Sequence, residues 1–96
     1  MSVSLSTHVL DVERGRPASG VRVDLWQDEL IATGHTDGDG RISQLGDDLR
    51  PGVYRLLFHP PSIFFKRVGV EVELQEGHYH VPLLISSYSC VSYRGS

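Results

Sequence analysis

Two histidines two residues apart, His78 and His80, are the side chains in this sequence best placed for chemistry. Alternate side chains of a β-strand project from the same face, so a strand here presents both imidazoles on one surface. Imidazole titrates near neutral pH and can act as a general base or acid. Together with His8 the pair could instead hold a zinc ion and leave one position open for water, or the pair could be an ordinary exposed feature.

A further candidate is Arg41, which directly follows Asp37-Gly-Asp-Gly40. The two Asp-Gly steps are typical of a tight turn with positive φ, and a regular series of calcium ligands is missing. The guanidinium of Arg41 is either an ordinary surface charge or a group aimed at an anionic or carbonyl-rich ligand, and the spacing leaves both interpretations open. Cys90, the only cysteine, is more typical of a small packing residue than of a nucleophile.

The elements that position these residues are short strands. Apolar or alternating segments separated by turn residues about every eight to twelve positions are typical of an all-β sandwich, and no segment has a convincing helical period. We predict a single domain over residues 1–96, with strands at 4–11, 21–25, 30–36, 53–58, 68–74, 78–85 and 89–93, the last two forming a closing hairpin.

Alternation within two of these strands assigns their faces. In the second strand the apolar residues should face the core, and the charged residues Arg22 and Asp24 should face outward. In the strand at 78–85 the better core face consists of Tyr79, Val81, Leu83 and Ile85. The opposite face, which carries two histidines and a proline, is unusual for solvent or for a core, and it indicates a functional cleft or a subunit interface.

Composition and charge limit the class of protein. With 96 residues and 40% hydrophobic content, the chain is one small domain whose thin core favours association with copies of itself. One cysteine permits no internal disulfide and suits a reducing compartment, and the N-terminus has no secretion signal, so we expect a cytoplasmic protein. No stretch approaches the ~18 apolar residues of a membrane span. A net charge of −3 with scattered Lys and Arg argues against nucleic-acid binding.

Six motifs follow one another in the order found in a known family. They are Ser6-Thr-His-Val-Leu-Asp11, Gly15-Arg-Pro-Ala-Ser-Gly-Val21, Thr36-Asp-Gly-Asp-Gly-Arg41, Pro51-Gly-Val-Tyr-Arg-Leu56, His78-Tyr-His-Val-Pro-Leu-Leu84 and Tyr93-Arg-Gly-Ser96. Through them the chain resembles the 5-hydroxyisourate hydrolases, the enzyme branch of the transthyretin superfamily. The first and last motifs are highly specific, because transthyretin itself shares the fold but has lost the histidines and the Tyr-Arg-Gly-Ser end.

The resemblance implies a fold and an assembly. The fold is a transthyretin-like, or prealbumin-like, two-sheet β-sandwich related to the Greek key. Edge strands pair into a dimer, and two dimers pack into a homotetramer whose central channel holds the active sites. The expected partners are therefore copies of this chain and a small-molecule substrate, with neither a nucleic acid nor a membrane.

The resemblance also implies an activity. It is the metal-free hydrolysis of a lactam-type C–N bond in 5-hydroxyisourate, which gives 2-oxo-4-hydroxy-4-carboxy-5-ureidoimidazoline in urate degradation and needs no cofactor. The catalytic residues of the family fall on His8, Arg41 and His80. Its substrate-binding residues fall on Tyr93 and Ser96. Which histidine acts as the base is left open.

The sequence departs from the family pattern in two places, and alternative functions stay open beside the hydrolase. Only about ten residues, 59–68, separate two predicted strands where the family has a longer segment with a short helix, so we expect that helix to be absent. Ser87, Ser89 and Cys90 stand where the family typically has Pro, Gly and Tyr. The alternatives are a catalytically silent, transthyretin-like binding protein and a zinc-dependent hydrolase that uses His8, His78 and His80.

Overall fold

The computed structural model describes residues 2–95, which form ten β-strands in two sheets. The strands are β1 (Val3–Asp11), β2 (Arg16–Pro17), β3 (Arg22–Trp26), β4 (Leu30–His35), β5 (Arg41–Ile42), β6 (Gly52–Phe58), β7 (Val68–Leu74), β8 (Gly77–His80), β9 (Leu83–Ile85) and β10 (Cys90–Ser92). The architecture is therefore the all-β, two-sheet sandwich that the sequence predicts.

The larger sheet is organised around β1. Strands β8 and β9 run parallel to β1 on one side, β5 and β2 pair with it in antiparallel fashion, and β10 extends the sheet beyond β9. The smaller sheet is antiparallel throughout, in the order β4-β3-β6-β7. Strands β7 and β10 end their sheets and are open edges of the described chain.

The core lies between the two sheets and is built from one face of each strand. Alternate apolar residues of the larger sheet meet those of the smaller sheet, as period-two patterning requires. The side chains with almost no exposure include Leu5, Val9, Leu83 and Ile85 from the larger sheet and Val23, Leu25, Leu56, Phe58 and Leu74 from the smaller one. Thr7 is also fully buried, and its hydroxyl donates to the carbonyl of Val81 at 2.6 Å.

The predicted strand at 78–85 is wrong as a single element, because it is split into β8 and β9. Pro82 lies in the gap and has no amide to donate to a ladder. The pairing nevertheless keeps one register across the gap, since Ser6 lies opposite His80 and Val9 lies opposite Leu83. The predicted faces are preserved for that reason.

The connections also differ from the sequence prediction in two places. The connection between the first two predicted strands contains the two-residue strand β2, and Arg41 after the Asp-Gly turn begins the two-residue strand β5. Both pair with β1, a long-range contact that no local pattern indicates. Within residues 2–95 there is no helix, and 59–67 link β6 to β7 as irregular chain. The described chain accordingly contains no helix able to span a membrane.

Asp24 is the clearest departure from simple alternation, because it is 2% exposed although it points away from the sandwich core. Its carboxylate accepts hydrogen bonds, each 2.9 Å long, from Arg22 Nε, Thr33 Oγ1 and His59 Nε2. Burial raises the pKa of this carboxyl, but the three hydrogen bonds, of which that from Arg22 has the largest effect, outweigh it and hold the pKa below its ordinary value. Asp24 therefore faces outward from the core, as its alternation predicts, but it is buried by its hydrogen-bond partners and not exposed to solvent.

We predict that Asp24→Asn lowers the free energy of unfolding by ~3 kcal/mol at pH 7, because it removes the charged partner from a buried network. Since the native pKa is depressed, the carboxylate stabilises the fold fully above the pKa of an unfolded aspartate, about 4, and loses this effect as pH falls through the lower native pKa. Urea denaturation from pH 7 to pH 2.5 should show the wild type and the variant converging. Asp28→Asn, at an exposed position, is the matched control, and an equal loss in both variants would contradict the prediction.

Candidate active site

The outer face of the larger sheet carries a row of polar side chains centred on β1. Alternate residues of β1 point to this face, and residues directly opposite them on neighbouring strands point the same way. The register places His80 opposite Ser6 and Arg41 opposite His8. We call this surface the polar face, and it consists of Ser4, Ser6, His8, Arg41, His78 and His80.

A tight turn fixes Arg41 beside β1. Oδ1 of Asp37 accepts hydrogen bonds from the amides of Asp39 and Arg41, both at 2.9 Å. The bond from the Arg41 amide is the main reason that the pKa of the Asp37 carboxyl lies below its ordinary value. Gly40 has a φ of 76°, and a Cβ there would lie 2.6 Å from the carbonyl oxygen of Val9. Glycine is needed for the turn to pack this closely against β1.

The same turn orients the ring of His8. Nε2 of His8 lies 2.8 Å from the carbonyl oxygen of Asp39. A carbonyl oxygen can only accept a hydrogen bond, so Nε2 carries the proton and the neutral ring keeps a lone pair on Nδ1. His8 thus presents an acceptor nitrogen beside the guanidinium-bearing strand β5.

His80 is held from the opposite side of β1. Its Nδ1 lies 2.7 Å from Oγ of Ser6, and its ring centroid lies 6.5 Å from that of His8. Within residues 2–95, Nε2 has no hydrogen-bond partner. Burial lowers the pKa of His80, and His8, Arg41 and His78, which are positive when charged, lower it further. The lowered pKa favours the neutral ring of His80 at neutral pH, and in the tautomer that carries its proton on Nδ1 this ring can receive a proton at Nε2.

Two hydroxyls complete the polar face, although their residue type alone gives no functional signal. Ser6 Oγ lies 2.9 Å from Nε2 of His78, and Ser4 Oγ lies 2.7 Å from Nδ1 of the same ring. The sequence signal that could have found them is their spacing, because Ser4, Ser6 and His8 alternate along one predicted strand and must share a face. Their partners lie more than seventy residues away in the chain, which is beyond the reach of a local pattern.

The C-terminal segment runs beside His80. The amide of Gly95 donates to the carbonyl of His80 at 2.6 Å, and a Cβ on Gly95 would lie 2.7 Å from Cδ2 of the His80 ring. The guanidinium of Arg94 stacks on the ring of Tyr79, 4.3 Å from its centroid. Ser96, predicted to bind substrate, lies outside the described residues.

Tyr93, the other predicted substrate-binding residue, does not join the polar face in this single chain. Its ring is 53% exposed and lines a groove of about 460 Å³ between the open edges β7 and β10. The same groove is lined by Val70, Val72 and Tyr79. The structure thus brings His8, Arg41 and His80 together and places Tyr93 at the groove between the sheet edges.

The geometry does not favour the zinc hypothesis. The ring nitrogens of His78 and Nδ1 of His80 are engaged with serine hydroxyls, so the three histidines do not converge on one point. Among residues 2–95, no three His, Cys, Asp or Glu side chains form a group that could hold a metal ion.

The fold and the polar face together define a transthyretin-type β-sandwich with an imidazole and guanidinium cluster on its outer surface. The family model described as HIUase/Transthyretin matches residues 5–95. The chain is 42% identical to a 5-hydroxyisourate hydrolase of Pseudomonas aeruginosa, over 96% of this chain and 90% of that protein. This chain belongs to the HIUase/Transthyretin family.

Solved structures agree with this assignment. The structure of Klebsiella pneumoniae 5-hydroxyisourate hydrolase superposes with a TM-score of 0.89 at 36% identity and covers 100% of both chains. Sea bream transthyretin in complex with thyroxine superposes with a TM-score of 0.85 at 29% identity, over 95% of this chain and 93% of that one. The fold alone is therefore common to a 5-hydroxyisourate hydrolase and to a transthyretin that binds thyroxine, and the side chains of the polar face have to distinguish them.

We predict that Gly95→Ala displaces the ring of His80, because the added methyl group would overlap Cδ2 of a ring already held by Ser6. A shift of about 1 Å in a catalytic group can reduce turnover ~100-fold. The direct measurement is the side-chain ¹H–¹⁵N spectrum of the histidines, in which the His80 signals should move. Gly38→Ala is the matched control, since a Cβ at Gly38 meets nothing within 4 Å. Unchanged His80 signals in Gly95→Ala would contradict the prediction.

Proposed function

We propose that this chain is a hydrolase that opens the six-membered ring of 5-hydroxyisourate at its lactam-type C–N bond, in urate degradation and without a metal or cofactor. The observation that carries the proposal is the convergence of His8, Arg41 and His80 on the polar face. The two histidines belong to the motifs through which the chain resembles the enzyme branch of the family rather than transthyretin. Relatives named 5-hydroxyisourate hydrolase support the same substrate.

In the proposed reaction His80 is the general base. Its lowered pKa keeps the ring neutral at working pH, and Nδ1 is tied to Ser6 so that Nε2 faces outward as the acceptor. Nε2 takes a proton from a water molecule, and the water oxygen forms a bond to the lactam carbonyl carbon. The tetrahedral intermediate then collapses by breaking the C–N bond, and the leaving nitrogen takes the proton back from His80.

Arg41 and His8 have complementary roles. The guanidinium of Arg41 holds the substrate carbonyl and the oxyanion that develops from it, an electrostatic effect that can lower the barrier by ~3 kcal/mol. Because Nε2 of His8 donates its proton to the carbonyl of Asp39, Nδ1 has a lone pair. This lone pair accepts a hydrogen bond from a ring N–H of the substrate or from the attacking water. His8 therefore orients the reactants while His80 moves the proton.

The proposed substrate contacts from the C-terminus come from two residues. Ser96 is proposed to bind substrate because it directly follows Gly95 in the sequence, and the backbone of Gly95 pairs with that of His80. Tyr93 is proposed to bind substrate through its exposed phenol. Tyr93 lines the groove between β7 and β10 and does not lie on the polar face of its own chain, so we propose that it contacts substrate only in the assembled protein.

We further propose that the working form is a homotetramer in the cytoplasm, a dimer of edge-paired dimers. Strands β7 and β10 are unpaired edges that flank an apolar groove, and unpaired edges favour strand pairing with a second copy. The polar face is open in one chain, since Arg41 is exposed. Packing another copy over it would exclude water and strengthen the charge interactions of the site. The compartment is supported by the single Cys90, which forms no disulfide in the described chain.

A second candidate function is a catalytically silent binding protein. The likeness to sea bream transthyretin bound to thyroxine favours it, because a hormone carrier has the same sandwich. The short segment 59–67 could alter the subunit contacts on which an active site at the interface depends. Folded protein without turnover would identify this candidate.

The activity prediction concerns freshly generated 5-hydroxyisourate, whose decay is followed by ultraviolet absorbance with and without the protein, since the substrate also decays unaided. Acceleration should persist after treatment with a chelator. His80→Ala and Arg41→Ala should each reduce turnover ~100-fold or more while the fold survives, because both side chains lie outside the core. His35→Ala, on an exposed position of β4, is the matched control. Near-normal rates in both site variants would refute the assignment, and dependence on added zinc would favour the metal hypothesis.

The assembly prediction is that light scattering after gel filtration gives a mass four times that of the 10.7 kDa chain. Specific activity should fall on dilution in step with dissociation, because an open polar face no longer excludes water. A monomer that keeps full specific activity at every concentration would overturn the proposed assembly without affecting the proposed reaction.

A further inference from the structure

A continuous chain of hydrogen-bonding groups runs from His80 to the exposed end of the polar face. His80 Nδ1 lies 2.7 Å from Ser6 Oγ, and the same oxygen lies 2.9 Å from Nε2 of His78. Nδ1 of His78 in turn lies 2.7 Å from Ser4 Oγ. All three distances are those of good hydrogen bonds, so the two imidazoles are linked through one serine hydroxyl.

The hydrogen bonds between His80, Ser6 and His78 can be formed in two opposite directions. The hydroxyl of Ser6 has one proton, so it can donate to one ring and must accept from the other. In the first arrangement Nδ1–H of His80 donates to Ser6, Ser6 donates to Nε2 of His78, and Nε2 of His80 keeps its lone pair. In the second arrangement both bonds are reversed, and Nε2 of His80 carries a proton. The tautomers of the two histidines are therefore coupled through Ser6.

His80 and His78, which lie on either side of Ser6 in this hydrogen-bonded series, differ in their contact with water. Ser6 is 8% exposed and His80 is half-buried, whereas His78 is exposed. The charged or titratable groups that act on His80 are His8 from β1, Arg41 from β5 and His78 from its own strand, and all of them are cations when charged. An added proton is therefore disfavoured on His80 and is better solvated on His78.

We propose that Ser6 and His78 form a proton relay from His80 to solvent, with Ser4 orienting the exposed ring. The proposal rests on the hydrolysis proposed above and adds positioning residues to it. As His80 Nε2 takes a proton from the attacking water, Nδ1 passes its own proton to Ser6 Oγ, and Ser6 passes its proton to Nε2 of His78.

The relay keeps atoms and charges in balance. While the tetrahedral intermediate exists, the positive charge is on His78 and the ring of His80 is neutral with a proton on Nε2. When the C–N bond breaks, that Nε2 proton goes to the leaving nitrogen, and the relay runs backward to restore Nδ1–H on His80. The overall change is the addition of one water across the C–N bond, with no other reactant needed.

A kinetic experiment tests the relay in 5 mM non-imidazole buffer. His78→Gln keeps a hydrogen-bonding group near Ser6 but cannot carry a proton, so kcat should fall ~10-fold, a modest part of the usual effect of acid–base catalysis. KM should change little, and added imidazole should restore the rate. The same loss, with the same rescue, is expected for His78→Ala, whereas Ser6→Ala should lose more and should not be rescued. His35→Gln is the control for removing an exposed histidine.

The kinetic result separates a relay from a purely structural contact. If His78 only supports the fold, Gln should substitute for it better than Ala, and imidazole should have no effect on either variant. Full activity of His78→Gln would overturn the proposal, as would a loss without rescue. A larger loss of activity for Ser4→Ala than for Ser6→Ala would contradict the direction of the relay.

A second measurement does not depend on any turnover. When His78 becomes doubly protonated, Nε2–H must donate to Ser6, and Ser6 must then donate to Nδ1 of His80. Long-range ¹H–¹⁵N spectra of the histidine rings should therefore show His80 changing to the Nε2–H tautomer at the same pH midpoint at which His78 titrates. In Ser6→Ala the two rings should titrate independently. Independent titration in the wild type would overturn the relay, whereas coupled titration without hydrolysis would leave the relay standing and reject the proposed substrate.

Discussion

The register between β1 and the parallel pair β8 and β9 is the constraint on which both the core and the polar face depend. With Ser6 opposite His80 and Val9 opposite Leu83, the apolar side chains of all three strands point into the sandwich. A slip of β8 and β9 by one residue against β1 would turn Leu83 to the outside and would move His80 into the core. Burial of the apolar face therefore fixes the positions of the proposed catalytic side chains on the other face, and Pro82 interrupts the hydrogen-bond ladder without changing that register.

Much of the fold follows from the sequence because it depends on local alternation and turn residues. The strand at 68–74 has the bounds that its alternation predicts, and the strands around Leu25 and Leu56 differ from prediction by only a residue or two. The burial of Asp24 could not be predicted in this way. It arises because Thr33 and His59 come from other segments to cover a carboxylate that local alternation assigns to solvent.

The candidate site, like the fold, could be predicted where it follows from local sequence and not where it depends on distant segments. Alternation placed His80 outside the core, and the residues themselves made His8 and Arg41 candidates. The family resemblance gave both of them a catalytic role, and their proximity requires β5 to pair with β1. The hydroxyls of Ser4 and Ser6 acquire a role only when β8 is laid beside β1, because a serine has no chemical signature until its partner is known. Tyr93 lies at the groove between β7 and β10 and not on the polar face, and no local pattern in the sequence indicates that position.

The charges of the polar face explain why the proposed mechanism gives its histidines different roles. Arg41 and the two other imidazoles surround His80 with groups that are positive when charged, and burial acts in the same direction on its pKa. A base in this position remains neutral and ready to accept a proton, but its cationic form is correspondingly unstable. The site gains a neutral base and an electropositive surface for an oxyanion from the same arrangement of charges. The proton taken from water then requires a better-solvated position for the lifetime of the intermediate, and the exposed ring of His78, linked through Ser6, is the group on this face that offers one.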